Sequence, residues 1–219
     1  MIDLHTHTLF SDGELLPAEL IQRADAMGHR GIALTDHVDT SNLDFVLPRV
    51  RAVVNELNRH HGVKSLAGVE LTHVPPELIN DLTLQARDLG ADIVVVHGET
   101  IVEPVLAGTN RAAIEAGVDV LAHPGLLTAE EAALAAQKGV LLEITSRRGH
   151  SLANGRVAAL ARAAGAGLVV NTDSHAPSDL INRAMAEKVA LGAGVLPEEL
   201  PALFANAERL LARAGGVLA

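Results

Sequence analysis

Eleven histidines are spread through the 219 residues, and several stand beside carboxylates at short spacings. In Ile2-Asp3-Leu4-His5-Thr6-His7, apolar Ile2 and Leu4 alternate with Asp3, His5 and His7. A period of two belongs to a strand, which sends Asp3, His5 and His7 to one face. Two imidazoles so placed can chelate one ion. The same donor types recur as Asp12 in Ser11-Asp12-Gly13, His37 in Thr35-Asp36-His37, Glu70 in Gly68-Val69-Glu70, and His97 after Val95-Val96. They recur again as His123 in Ala122-His123-Pro124-Gly125, and as Asp173 and His175 in Asp173-Ser174-His175. Imidazole nitrogens and carboxylate oxygens suit divalent cations, so the chemistry to expect is metal-assisted.

These side chains act together only if the fold gathers them. Apolar runs predict strands at about 2–7, 31–35, 65–71, 92–97, 118–123, 140–144 and 168–172. Ile93-Val94-Val95-Val96 is continuous enough for a parallel strand buried on both faces. Helical patterns lie between, beginning at Pro17 and covering 47–61, 77–89, 109–116, 129–138 and 154–164. The glycines Gly28, Gly62, Gly90, Gly117, Gly139 and Gly165 stand where a left-handed residue would close each helix. Helices at 178–191 and 198–214 finish the chain. Seven strand–helix units in series predict an α/β fold with parallel strands in a TIM-like barrel, one domain over residues 1–219. In such barrels function sits at the C-terminal ends of the strands, which is where the donor residues fall.

Six histidines, two aspartates and one glutamate buried together without cations would be an expensive concentration of polar groups. The other histidines differ. His29, His60 and His61 are expected at helix C-termini, where a cation complements the dipole. His73, just past Glu70, is left undecided between the two groups. In the loop after the sixth strand, Thr145-Ser146-Arg147-Arg148-Gly149-His150-Ser151 lies on the active face. Adjacent side chains diverge, so one of Arg147 and Arg148 is expected to clamp an anion, which the resemblance given below implies to be phosphate, and the other to be solvated. His150 is expected to protonate a leaving alcohol or to hydrogen-bond substrate. Asp3 reads equally as an acceptor that orients an imidazole and as a solvated strand-start residue. Asn154 is expected to cap the following helix.

The formal net charge is −10, with Phe10, Phe45 and Phe204 the only aromatic residues. A basic stripe or stacking platform, the usual mark of a nucleic-acid binder, is not visible, so no long nucleic-acid partner is expected. With no cysteine, neither disulfides nor thiolate ligands are available, which fits the cytoplasm. No run reaches the ~18 apolar residues of a membrane span. A cleaved leader is not expected, because the donor residues begin at Asp3.

Taken in order, these motifs resemble the polymerase-and-histidinol-phosphatase (PHP) family of metal-dependent phosphoesterases, from Ile2 to about His175. The resemblance implies a distorted (β/α)7 barrel holding two or three divalent ions, Zn2+ and/or Mn2+, with Fe2+ also accepted. It implies that His5, His7, Glu70 and Asp173 hold one ion and that Glu70 bridges to a second on His97 and His123. Asp12, His37 and His175 would hold a third. Some members have histidine where Asp12 stands, so a harder metal is expected there. The amidohydrolase superfamily also opens with His-x-His, but many of its binuclear members end the fourth strand with a carbamylated lysine. Here His97 takes that place, and Lys64, Lys138 and Lys188 lie elsewhere.

Three divalent ions outweigh Asp12, Glu70 and Asp173, so the resemblance implies a cationic pit within an acidic protein. Such ions polarise phosphoryl oxygens and bring water towards deprotonation at neutral pH, giving a hydroxide nucleophile in a trinuclear site. The expected activity is hydrolysis of a small phosphate monoester, as in a histidinol phosphatase. The alternatives are a phosphodiesterase or exonuclease acting on nucleotides or short oligonucleotides, an amidohydrolase-type hydrolase, and a non-catalytic subunit. The intact ligand set argues against the last. Oligomeric state is not legible in the sequence.

Overall fold

A computed structural model describes residues 1–215, with the side chains of the last two left aside. Its strands are β1 (Ile2–Asp3), β2 (Gly31–Leu34), β3 (His37–Val38), β4 (Lys64–Leu71), β5 (Ile93–His97), β6 (Val120–Ala122), β7 (Leu141–Thr145) and β8 (Leu168–Asn171). Its helices are α1 (Pro17–Ala26), α2 (Leu43–Leu57), α3 (Pro76–Asp88), α4 (Thr109–Ala116), α5 (Ala129–Lys138), α6 (Asn154–Ala164), α7 (Arg183–Gly192) and α8 (Leu200–Gly215).

All pairings are parallel, in the order β1-β2-β4-β5-β6-β7-β8, with β3 pairing β4 beyond the end of β2. The two edges meet past the ends of β8 and β1. His5 O accepts from Asp173 N at 3.0 Å, and His7 N donates to Ser174 O at 2.9 Å. This is the expected TIM-like α/β barrel.

The apolar pattern forms two cores. Ile2, Leu4, Ala33, Leu66, Val95, Val120 and Val169 fill the barrel. Ala207, Leu210 and Leu211 of α8 close its lower end. The outer core packs helices against the sheet, with Leu43, Val46, Leu47, Val50 and Val54 forming the inner stripe of α2. Such a stripe recurs every three or four residues, as an amphipathic helix requires.

Several predicted boundaries shift. α2 begins at Leu43, four residues before the predicted start, and runs through Pro48 because its stripe extends to Leu43. It ends at Leu57, and Gly62 is not its left-handed cap. Asn58 instead turns onto the next strand, bonding Ser65 N at 2.7 Å and Ser65 O at 2.9 Å. His60 and His61 therefore lie beyond the helix. The predicted strand at 31–35 stops at Leu34 because Thr35 turns its amide to Thr6 O at 2.8 Å. The helix predicted from Ser178 begins at Arg183, capped by Asn182 Oδ1 accepting from Met185 N at 3.0 Å. Gly28, Gly90, Gly117, Gly139 and Gly165 do have positive φ.

Candidate metal centre

The nine predicted donors converge at the C-terminal mouth of the barrel. Glu70, on β4, is fully buried at the centre. Its Oε1 lies 3.2 Å from His5 Nε2, 3.4 Å from His97 Nδ1 and 3.6 Å from His123 Nε2. Its Oε2 lies 2.9 Å from His37 Nε2 and 3.8 Å from His7 Nε2. Asp173 Oδ1 faces His7 Nε2 at 3.2 Å and His175 Nδ1 at 3.3 Å. Asp12 is at the rim, its side chain 56% exposed, with Oδ1 3.2 Å from His175 Nε2 and 3.7 Å from His37 Nδ1.

Local backbone makes these approaches possible. Fully buried Asp36 accepts from Thr8 N at 2.7 Å and from Ser11 Oγ at 3.0 Å, holding the turn that presents Asp12. After His123, a Cβ at Gly125 would overlap the Glu99 carbonyl oxygen, and φ there is +60°. Only glycine fits both conditions. Among the described residues, the non-glycine residues with positive φ are His73, His123 and Asp173, at 53°, 27° and 52°. Such conformations cost about 1–3 kcal/mol and collect at functional sites.

The orienting carboxylate is one that sequence reading missed. Glu143, fully buried on β7, bonds His5 Nδ1 through Oε2 at 2.8 Å. The same oxygen accepts from Asn171 Nδ2 at 2.9 Å, and Oε1 accepts from His123 N at 3.3 Å. With Nδ1 held, His5 turns its Nε2 lone pair into the pit, the arrangement typical of a metal-ligating imidazole. The signal in the sequence was a lone charge inside apolar Leu141-Leu142-Glu143-Ile144. Asp3 fills neither role considered for it. Buried, it accepts from Thr172 Oγ1 at 2.6 Å and Thr172 N at 3.1 Å, and touches no imidazole of the cluster. It fastens β1 to the end of β8.

The loop after β7 separates the two arginines. Arg147 is partly buried, with Nε 3.9 Å from Asp173 Oδ2 and Nη1 donating to Asp179 Oδ2 at 3.1 Å. Arg148 is exposed. His150 is buried, bonds Thr100 Oγ1 through Nδ1 at 2.8 Å and stacks on His123 at 4.3 Å. Asn154 is not a helix cap. Its amide bonds Thr145 N at 3.2 Å and Thr145 O at 2.8 Å, securing the end of β7. His73 stands at the rim near Glu103, a second carboxylate that sequence reading missed. His29, His60 and His61 bond elsewhere, to Ile181 O, Glu56 and Asp25.

Electrostatics show a cluster in conflict with itself. Burial works against the proton on His5, but Glu143, Glu70 and Asp173 raise its pKa well above the ordinary value. His37 and His97 are also raised against burial, chiefly by Glu70. Burial pushes His7 and His123 well below the ordinary value, and the neighbouring imidazoles His37 and His97 push them the same way. Burial drives Asp173 up to about 7, with His5 opposing it. Burial would also raise Glu70, but His5 and His37 hold it well below the usual carboxylate range.

Ten buried side-chain polar atoms lack a hydrogen-bond partner among the described residues, and only His29 Nδ1 and Ser65 Oγ lie outside the pit. The other eight belong to His5, His7, Glu70, His97 and His123. Unsatisfied buried groups cost about 1–3 kcal/mol each, so eight in one place point to a missing partner. Divalent cations fit, since each accepts lone pairs from several of these atoms at once. Groups such as His7, Asp12, His37 and His175, or His5, His123 and Asp173, bring their donor atoms within 4.8 Å of one another. A cavity of about 750 Å³ at the opposite end of the barrel, lined by Arg87, Asp119, Lys138 and Arg213, shares none of these residues. Its charges are largely paired, as Arg87 and Arg213 are with Asp119.

A family model described as the PHP domain matches residues 3–115. An uncharacterised protein of Methanocaldococcus jannaschii is 50% identical over 200 residues, covering 90% of this chain and 92% of that protein. Ribonuclease P protein component 3 of Methanosarcina barkeri is 33% identical over 114 residues, 52% of this chain and 41% of that protein. Among solved structures, the histidinol phosphate phosphatase of Lactococcus lactis, complexed with Zn, L-histidinol and phosphate, superposes with a TM-score of 0.62. At 17% identity over 88% of this chain and 91% of that one, it shares the fold.

Proposed function

The chain belongs to the PHP domain family, and on that premise we propose that it is a metal-dependent phosphoesterase hydrolysing a small phosphate monoester, in the manner of a histidinol phosphatase. The observation that carries this reading is the set of eight unpaired buried atoms around Glu70. His5, His7, Glu70 and Asp173 would hold one divalent ion, Glu70, His97 and His123 a second, and Asp12, His37 and His175 a third. Zn2+ and Mn2+ suit these donors, with Fe2+ also compatible. When bound, such ions would polarise phosphoryl oxygens and make a water nucleophilic near neutral pH.

The protein's own groups position and neutralise. Glu143 keeps His5 in one tautomer, and Asp36 fixes the turn carrying Asp12. Arg147 lies beside Asp173, where its planar fork would take two phosphate oxygens. Arg148 is exposed and takes no part. His150, aligned by Thr100, would hand a proton to the departing alcohol. Lys64 opens β4, Lys138 ends α5 and Lys188 lies within α7, so none stands at the C-terminal end of a strand, which leaves the carbamylated-lysine chemistry of the amidohydrolases without its residue. Among the described residues no helix is long and apolar enough to cross a membrane, and we place the activity in the cytoplasm.

The ribonuclease P relative favours a second reading, in which the same centre cleaves or holds a phosphodiester of RNA. It also sets a nucleic-acid partner against the expectation drawn from net charge. One experiment separates the readings: hydrolysis of phosphomonoesters, cyclic nucleotides and short oligoribonucleotides by protein of measured metal content. Release of inorganic phosphate from monoesters supports the first reading. Turnover of oligoribonucleotides alone supports the second. Protein that binds no divalent metal would overturn both.

A further inference from the structure

His97, at the end of β5, meets a carboxylate at each of its ring nitrogens. Nδ1 lies 3.4 Å from the buried Glu70 Oε1, inside the pit. Nε2 lies 3.1 Å from Oε2 of Glu103, a half-exposed residue of the loop between β5 and α4. That Oε2 is also 3.4 Å from His73 Nε2, and Glu103 Oε1 is 3.4 Å from His150 Nε2. Neither nitrogen of His97 is aligned for a hydrogen bond. The Nε2 contact is within N–H···O range, so it needs a change of angle and not of distance.

Three observations make Glu103 more than a surface ion pair. The first is the proton count on His97. A neutral imidazole has one lone pair and one N–H. As a ligand of the second ion beside Glu70, His97 gives its lone pair from Nδ1, the nitrogen facing Glu70, and the proton is left on Nε2, facing Glu103. The same division holds at His5, where Glu143 takes one ring nitrogen and the other faces Glu70. The second observation is that the loop is built in advance. Glu99 Oε1 accepts from Gly108 N at 2.9 Å and Asn110 N at 3.0 Å, closing the loop on itself. Asn110 Nδ2 donates to Pro124 O at 2.9 Å, tying that closure to the turn after His123. The third is His73, whose φ of 53° carries a backbone cost and whose ring reaches the same oxygen of Glu103 from the β4 side.

We propose that Glu103 is the positioning residue of His97, accepting its Nε2 proton and so aiming its Nδ1 lone pair at the second ion. The proposal rests on the metal-centre reading above and deepens it. It adds no ion and no ligand to the nine. Glu103 is 38% exposed, so solvent screens its charge from the pit and its effect is directional. His73 holds Glu103 from the solvent side, much as Asn171 holds Glu143 within the barrel.

Two measurements on the full chain test this. One is 1H–15N NMR of the imidazoles in Zn2+-loaded protein, and the other is chelator competition during Zn2+ titration of stripped protein. The proteins are wild type, Glu103→Ala, Glu103→Gln, His97→Ala and the double variant His97→Ala/Glu103→Ala. In loaded wild type, His97, identified by its loss from the His97→Ala spectrum, should carry a slowly exchanging proton on Nε2. Glu103→Ala should bind as many Zn2+ per chain as wild type, with one class weakened by about 10–100-fold and the Nε2 proton in fast exchange. Glu103→Gln keeps an accepting oxygen and should lose less than alanine. In the His97→Ala background, removing Glu103 should shift the remaining classes by less than about threefold, since its effect runs through His97. A proton on His97 Nδ1, wild-type affinities in Glu103→Ala, a glutamine variant no better than alanine, or equal losses with and without His97 would each overturn the role and leave the metal centre standing. Wild type that binds no Zn2+ would overturn the metal centre, and the role of Glu103 with it.

Discussion

Replacing Glu143 by glutamine tests the orientation of the cluster at its most buried point. The two carboxylate oxygens serve three donors: His5 Nδ1 at 2.8 Å, Asn171 Nδ2 at 2.9 Å and His123 N at 3.3 Å. Glutamine keeps the shape but offers one accepting oxygen and turns an NH2 group towards the remaining donors. At least one buried donor is then left unsatisfied, which costs about 1–3 kcal/mol. For a chain of this size that lowers the melting temperature of the metal-free protein by roughly 2–12 °C. The second effect is on ligation. Without the carboxylate on Nδ1, His5 loses the fixed tautomer that directs its Nε2 lone pair inward, and affinity for the ion it holds should fall by about 10–100-fold. Chelator competition reads the affinity, and melts of stripped and loaded protein read the stability. The loaded protein should lose more than the stripped one, because weaker binding also shrinks the stabilisation by ligand. Zinc affinity equal to wild type, beside a lowered melting temperature, would refute the orienting role and leave Glu143 a packing residue.

Two further outcomes follow from the same geometry. At saturating metal, Arg147→Ala should lose a charge-assisted bond of about 1.5–3 kcal/mol, a fall in kcat/KM of roughly ten- to over a hundredfold with metal content intact, while Arg148→Ala stays within a factor of about three. Equal behaviour of the two variants would remove Arg147 from phosphate binding. Metal uptake should also release protons in a pH-dependent way. Asp173 sits at about 7 and His5, His37 and His97 are raised, so below neutrality the stripped protein holds protons that ligation must displace. Proton release per chain, followed with an indicator dye, should therefore be larger at pH 6 than at pH 8.5, with apparent affinity rising over the same interval. Release that does not change with pH would contradict it.

The parts of the fold legible in the sequence were those where one pattern dominates. Continuous apolar runs gave the parallel strands, and five glycines after helical stretches marked left-handed caps. The pattern failed where side chains overrule it. Asn58 ends α2 by bonding the next strand, so the glycine at 62 caps nothing. Asn154 looked like a cap by position, but its amide is taken by both backbone groups of Thr145. The helix read from 47 starts at Leu43 and runs through Pro48, because burial from Leu43 onward outweighs one missing bond. The nine residues expected as donors do converge, because strand ends in a barrel must meet. Glu103 was missed because a loop residue carries no periodicity, and Glu143 was passed over because it precedes the end of its strand by two residues.

Glu143 also alters the charge argument, and with it the balance between the two substrates. The sequence offered three carboxylates against three divalent ions, an excess of about three positive charges. A fourth carboxylate in contact with His5 lowers that excess to about two. Arg147 does not restore it, because Asp179 takes its Nη1 at 3.1 Å. A phosphate monoester brings up to two negative charges near neutral pH, whereas each diester linkage brings one. A pit with an excess of about two is neutralised by one monoester group, and a single diester leaves it cationic. The same comparison explains where RNA would have to bind if the second reading held. Its flanking phosphates would need further cations near the pit, and the exposed Arg148 is the side chain in the loop after β7 free to supply one. Arg148→Ala, expected to be silent towards monoesters, would then weaken an oligoribonucleotide and reduce the salt dependence of its binding.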